Sequence, residues 1–112
     1  MVKNVELKNR IMSELEKIHY NFSYIGTEYL IETIYILIIN EKVSGYNLEK
    51  EIYPLVAKMY QTTIKNVKNN ILNATDKMYY DCEEKILKKY IVYNIKPTPK
   101  KIIKFVLENL YL

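Results

Sequence analysis

The sequence predicts an all-α fold, a compact bundle of about six helices whose third and fourth members form a helix-turn-helix. Three observations carry this. Apolar residues recur at helical spacing along most of the chain, as in Leu7, Ile11, Leu15 and Ile18. Signals for strands and hairpins are scarce, with two glycines and three prolines in 112 residues. The pair Thr98-Pro99 reads as a helix start, a threonine cap followed by proline in the first position. The length suits one domain, residues 1–112, with a single core. A hydrophobic share of 49% and a charged share of 27% suit a globular chain and not a disordered one.

Taken in order, the first helix runs from about Val5 to His19, its stripe inward and Lys8, Glu14 and Lys17 toward water. Asn21 to Gly26 connects it to a second helix, with Thr27 as cap and Glu28 in the first turn. That second helix is apolar almost all round from Leu30 to Ile39, which marks it as the most buried. A polar turn follows, with Gly45 the expected site of unusual backbone angles. Asn47 is the expected cap of nearly continuous helix from Leu48 to Tyr60, Pro54 either restarting or kinking it. Glu83 to Lys89 forms a short helix, with Ile86 and Leu87 inward and the acidic pair at its start. Tyr90 to Lys96 reads as extended chain. The last helix, from Pro99, buries Ile102, Ile103, Val106 and Leu110.

The stretch from Tyr53 to Tyr80 organises the rest. Val56, Ala57 and Tyr60 line one face of a short helix, and Gln61-Thr62-Thr63 breaks it. Gln61 stands where such turns often carry glycine. In the helix that follows, Ile64, Val67, Ile71, Ala74 and Met78 make an apolar stripe. Lys65, Asn66, Asn69 and Asn73 fall opposite it, with Lys68 and Leu72 on the flank. A buried short helix before a helix with an amide and ammonium outer face is the layout of a DNA reader. Asparagine bonds adenine through two atoms, and lysine reaches phosphate or guanine. Thr62 and Thr63 sit where a helix start meets phosphate. Any helical hairpin in a chain rich in lysine and asparagine has such an outside, so the layout alone admits a purely structural reading.

Composition excludes much else. The formal charge of +4 permits a nucleic-acid partner. Arg10 is the single arginine, so bidentate guanine reading is not this chain's strength. Cys82 is the single cysteine, which gives neither a disulfide framework nor a thiol cluster for metal. His19 stands alone too, so no metal site or other cofactor is expected, and no nucleophile context or phosphate loop suggests an enzyme. The charged N-terminus is no signal peptide, and the apolar run Tyr29–Ile39 is too short to span a bilayer, so a cytoplasmic protein without membrane attachment is expected. Most of the twelve tyrosines belong to the core, with Tyr79, Tyr80 and Tyr90 the candidates for a surface patch.

Three blocks then resemble one family in order and nearly in spacing. They are YIGTEYLIETI, EIYPLVAKMYQTTIKNV and IKPTPKKIIKFVLENL. Together they are similar to the C-terminal DNA-binding effector domain of the stage-zero sporulation response regulator of spore-forming Firmicutes. The similarity runs from about Leu15 to Leu112. It implies a six-helix domain that reads a promoter element with its fourth helix, pairs head to tail on double-stranded DNA and contacts RNA polymerase. It also implies a receiver domain in front, for which this chain has no room. A free-standing effector is therefore expected.

This chain departs from the family where bases are read. The family's arginine-rich face is replaced by Lys65, Asn66, Lys68, Asn69, Leu72 and Asn73, with all three arginines absent. Adenine contacts through Asn66, Asn69 or Asn73 become the expectation, and the target site should differ. The segment 81–94, where the resemblance places polymerase contact, is also shorter. Two readings follow. One is a sequence-specific DNA-binding regulator working through Thr62, Thr63, Lys65, Asn66, Lys68, Asn69, Leu72 and Asn73. The other is a degenerate effector domain that pairs with itself, a full-length relative or polymerase.

Overall fold

The computed structural model describes the backbone at residues 2–43, 45–90 and 96–110, and side chains from residue 5 to 89 (except 44) and 96 to 110. Within these residues it is all-helical: α1 (Val2–Lys17), α2 (Ile25–Ile39), α3 (Tyr53–Met59), α4 (Ile64–Asp81), α5 (Glu84–Tyr90) and α6 (Pro99–Leu110). The extended reading at residues 91–95 lies outside what is described, as does the Tyr90 side chain.

α2 is the centre, because its sequence has no polar face to offer water. Eleven of its fifteen residues are buried. α1 and the residue that follows it lay Ile11, Leu15 and Ile18 against this core, α4 adds Val67, Ile71 and Met78, and α6 adds Ile102, Ile103 and Val106. Fully burying a side chain of this size stabilises the fold by about 1.5–3 kcal/mol. Two residues trade places relative to expectation: Leu107 is buried, whereas Leu110 is only half-buried. Ile64 lies outside the buried stripe of α4, 43% exposed in the first turn. Among the tyrosines, Tyr20, Tyr29, Tyr35 and Tyr53 are in the core, while Tyr80 is exposed and packs edge-on against Tyr79.

α2 starts two residues before Thr27, so Thr27 does not cap it. The Thr27 hydroxyl is buried and donates instead to the Asn21 carbonyl at 2.7 Å, tying the connection to the helix. Lys8 and Glu14 do not simply face water either. Lys8 Nζ lies 2.6 Å from Glu32, the one carboxylate buried in α2, because a charge there requires a partner. Glu14 receives both Lys17 and the Asn109 amide, pinning α1 to α6.

Asn47 caps the third helical segment as expected, its side chain accepting from the Lys50 N–H. The chain is helical without interruption to Met59, but residues Leu48–Ile52 are wound as a wide π turn, with the Tyr53 N–H reaching back to the Leu48 carbonyl. Proline at 54 has no N–H to give and its ring crowds the carbonyl four residues earlier, so the widened turn ahead of it relieves that clash.

Three helices end alike. At α1, α2 and α3 the residue past the cap turns left-handed: His19 (φ 65°), Glu41 (φ 56°) and Gln61 (φ 52°). In each, paired backbone bonds close the end, such as His19 N to Glu16 O and Tyr20 N to Leu15 O, the arrangement for which glycine is the usual choice. Gly45, by contrast, has no positive φ. The unusual geometry of that turn sits at Glu41 instead. His19 is thus an exposed helix-closing residue.

Candidate nucleic-acid interface

α3 and α4 meet through a turn closed by backbone hydrogen bonds to the last turn of α3. Gln61 N–H bonds the Lys58 carbonyl at 3.3 Å, and Thr62 N–H bonds the Ala57 carbonyl at 2.9 Å. Gln61 adopts the left-handed conformation that the missing glycine would have supplied. Thr63 then caps α4, its hydroxyl accepting from the Asn66 N–H at 3.0 Å. Loss of such a cap costs about 1 kcal/mol. The turn is fastened to α2 from outside, since Tyr60 donates to Glu28 Oε1 at 2.9 Å and meets the Tyr29 ring edge-on. Burial and the neighbouring Glu28 carboxylate both push the Tyr60 hydroxyl pKa upward, so it stays a donor.

α4 lies against α2 at one close crossing. A Cβ on Gly26 would stand 1.9 Å from the backbone carbonyl oxygen of Asn70 and 3.0 Å from Ala74 Cβ. The two backbones therefore touch where Gly26 is, and that contact sets how far α4 stands from the core. Behind it, Tyr20 bonds Thr75 at 2.8 Å between two buried hydroxyls.

The eight residues that the sequence nominates lie between Thr62 and Asn73, from the turn to the middle of α4, and none is buried. The structure separates them into groups. Lys65, Asn66, Asn69 and Asn73 are exposed and fall within an arc of roughly 100° on α4. Among the described residues, Lys65, Asn69 and Asn73 form no side-chain hydrogen bond or ion pair. Asn66 is held: its Nδ2 donates to Thr62 Oγ1 at 2.8 Å, and its Oδ1 accepts from Asn70 Nδ2 at 2.9 Å. Thr62 thus serves Asn66 and Thr63 serves the backbone.

Lys68 and Leu72 belong to the flank. Lys68 Nζ is 2.7 Å from Glu49 Oε1, at the π turn before α3. Together with Leu72 it borders a small pocket shared with Leu48, Tyr53 and Pro99. Both ends of the Glu49 pair are exposed, so the pair is worth little in stability; its effect is on the charge Lys68 presents. Sequence reasoning missed two residues that matter here. Asn70 was legible as the next asparagine one turn beyond Asn66, whereas Glu49 carried no local sign that it reaches α4.

Among the described residues there is no cluster of three or more metal-binding side chains, and no helix is long and apolar enough to cross a membrane. No curated protein matches the chain. A family model described as sporulation initiation factor Spo0A C terminal matches residues 11–110.

Proposed function

The chain belongs to the Spo0A C-terminal family, the DNA-binding domain of a sporulation regulator, and from that membership we propose that it is a sequence-specific DNA-binding transcription regulator. α3 and α4 act as its helix-turn-helix, and α4 enters the major groove of double-stranded DNA. The observation that carries the reading is the exposed stripe of Lys65, Asn69 and Asn73, polar side chains without partners among the described residues, on a helix whose opposite face is core. Lys65 meets phosphate and the asparagines meet base edges. The start of α4, with Thr62 and Thr63 beside its free N–H groups, lies against the backbone of the duplex. The whole chain works as one effector domain with no catalytic role and no cofactor, in the cytoplasm, and pairs with a second copy on DNA. Contact with RNA polymerase is a further part of the proposal, on the family resemblance alone.

Selection of bound sequences from a random duplex pool, at near-physiological salt, tests this. The winner should bind at least about 10³-fold more tightly than a scrambled duplex, and Lys65→Glu should weaken that binding without changing the melting temperature. Equal, weak binding to both duplexes, fading with salt, would leave only non-specific charge and turn the search to protein partners.

A further inference from the structure

We propose that Asn66 is the residue that reads an adenine, and that Asn70 is a positioning residue that fixes which way the Asn66 amide faces. The inference rests on the DNA-binding reading above and adds to it a base class and a second residue.

A free asparagine on a helix surface can turn its amide over, presenting oxygen or nitrogen on either side. Here one backbone atom removes that choice. Asn70 Nδ2 lies 2.8 Å from the Asn66 backbone carbonyl oxygen. A carbonyl only accepts, so the nitrogen of Asn70 is the atom on that side. The same nitrogen is 2.9 Å from the Asn66 side chain, which must then present Oδ1 there, since two amide nitrogens would set donor against donor. With Oδ1 turned toward Asn70, Nδ2 faces Thr62 and donates to its hydroxyl at 2.8 Å. The orientation passes from residue 70 to 66, one turn apart on α4, and on to Thr62 in the turn before the helix.

The arithmetic of what remains defines the ligand. Asn66 Nδ2 has two hydrogens and gives one to Thr62. Asn66 Oδ1 has two lone pairs and uses one on Asn70. One donor and one acceptor remain on an exposed amide. Adenine shows the complement in the major groove, an N7 acceptor beside an N6 donor. Guanine offers two acceptors, so the remaining Oδ1 lone pair would face another oxygen. Asn69 and Asn73 have no such fixing partner among the described residues, so either orientation is open to them and neither selects a base in advance. Ordering an amide before binding also spares the entropy of doing so on contact.

The test uses the full chain and the duplex recovered by selection, with each adenine replaced in turn by 7-deazaadenine, which lacks the N7 acceptor. Binding is read by anisotropy. For the unaltered chain, one substitution should cost about tenfold in affinity, and Asn66→Ala should abolish that penalty. Asn70→Leu, close in size but unable to donate, should shrink the penalty at that same adenine to near unity. Its melting temperature and its affinity for a scrambled duplex should stay unchanged. Asn70→Gln, which keeps a donor amide, should restore part of it. A specific duplex whose binding ignores every 7-deaza substitution, or an Asn70→Leu chain that keeps the full penalty, overturns the inference and leaves the regulator reading standing. Failure to select any duplex overturns both.

Discussion

The Tyr60 hydroxyl donates to Glu28 Oε1 across 2.9 Å, joining the residue that ends α3 to the first turn of the most buried helix. The Tyr29 ring, next to Glu28 in sequence, meets the Tyr60 ring with centroids 4.9 Å apart. One hydrogen bond and one ring contact thus hold the bend between the two helices to the core. Tyr60→Phe keeps the ring contact and removes the bond. A net loss of about 1 kcal/mol is expected, measured by urea denaturation, with Glu28→Gln costing less because an acceptor remains. An unchanged midpoint in Tyr60→Phe would show that the bond contributes nothing to the fold.

Gly26 is where two helix backbones touch, so its substitution should be the most damaging single methyl in the protein. Gly26→Ala sets a Cβ against the Asn70 carbonyl, a backbone atom that cannot rotate aside. Overpacking of this kind costs about 1–3 kcal/mol or more. The same change at Gly45, where nothing lies within 4 Å of the added carbon, should leave stability within about 0.5 kcal/mol. Thermal unfolding of the two variants side by side decides it.

The left-handed closing residues predict a gain. Gln61→Gly and Glu41→Gly each replace a side chain that disfavours φ near +55°. Each should stabilise by roughly 0.5–1 kcal/mol, the relief of left-handed strain less the added flexibility of the unfolded chain. Urea midpoints that rise with an unchanged slope would bear this out. A fall at Gln61 would mean that its side chain supports the turn in another way.

Glu49 should act on DNA binding without touching DNA. Its carboxylate sits on Lys68, so Glu49→Gln frees one cation beside the reading face. Affinity for any duplex should rise several-fold at low salt. The slope of log affinity against log salt should steepen by about 0.9 if Lys68 then meets a phosphate. Discrimination between duplexes should stay as it was. Salt titration by anisotropy measures all three.

Alkaline pH should unfold the protein early. Burial raises the Tyr53 hydroxyl to about 12 and carries Tyr20 higher still. Below pH 10 neither residue ionises in either state and their full contribution to stability is present. Above it the unfolded chain loses these protons while the folded one keeps them, so stability falls as pH rises toward 12 and beyond. Each such group steepens the fall by up to about 1.4 kcal/mol per pH unit. Tyr53→Phe should flatten the stability curve between pH 10 and 12, as urea denaturation at stepped pH would reveal.

What the sequence by itself determined is whatever depends on period and on neighbours a few residues away. The apolar run of α2 made it the core helix. Asn47 and Thr98 capped the helices they precede, because a cap is a bond between residues three apart. The polar outer face of α4 followed from its buried one.

Tertiary structure decided the rest, because it depended on contacts between residues distant in the chain. Thr27 had the chemistry of a cap, but a carbonyl at Asn21 offered its hydroxyl a buried partner and the helix began earlier. Gly45 had the freedom to turn left-handed, yet the end of α2 placed that demand on Glu41. Gly26 read as part of a loop until α4 lay across it. Lys68, on the flank, counted as a cation for DNA until Glu49, nineteen positions earlier, came within 2.7 Å. Helical spacing orders side chains around one axis, and only packing says what stands opposite each of them.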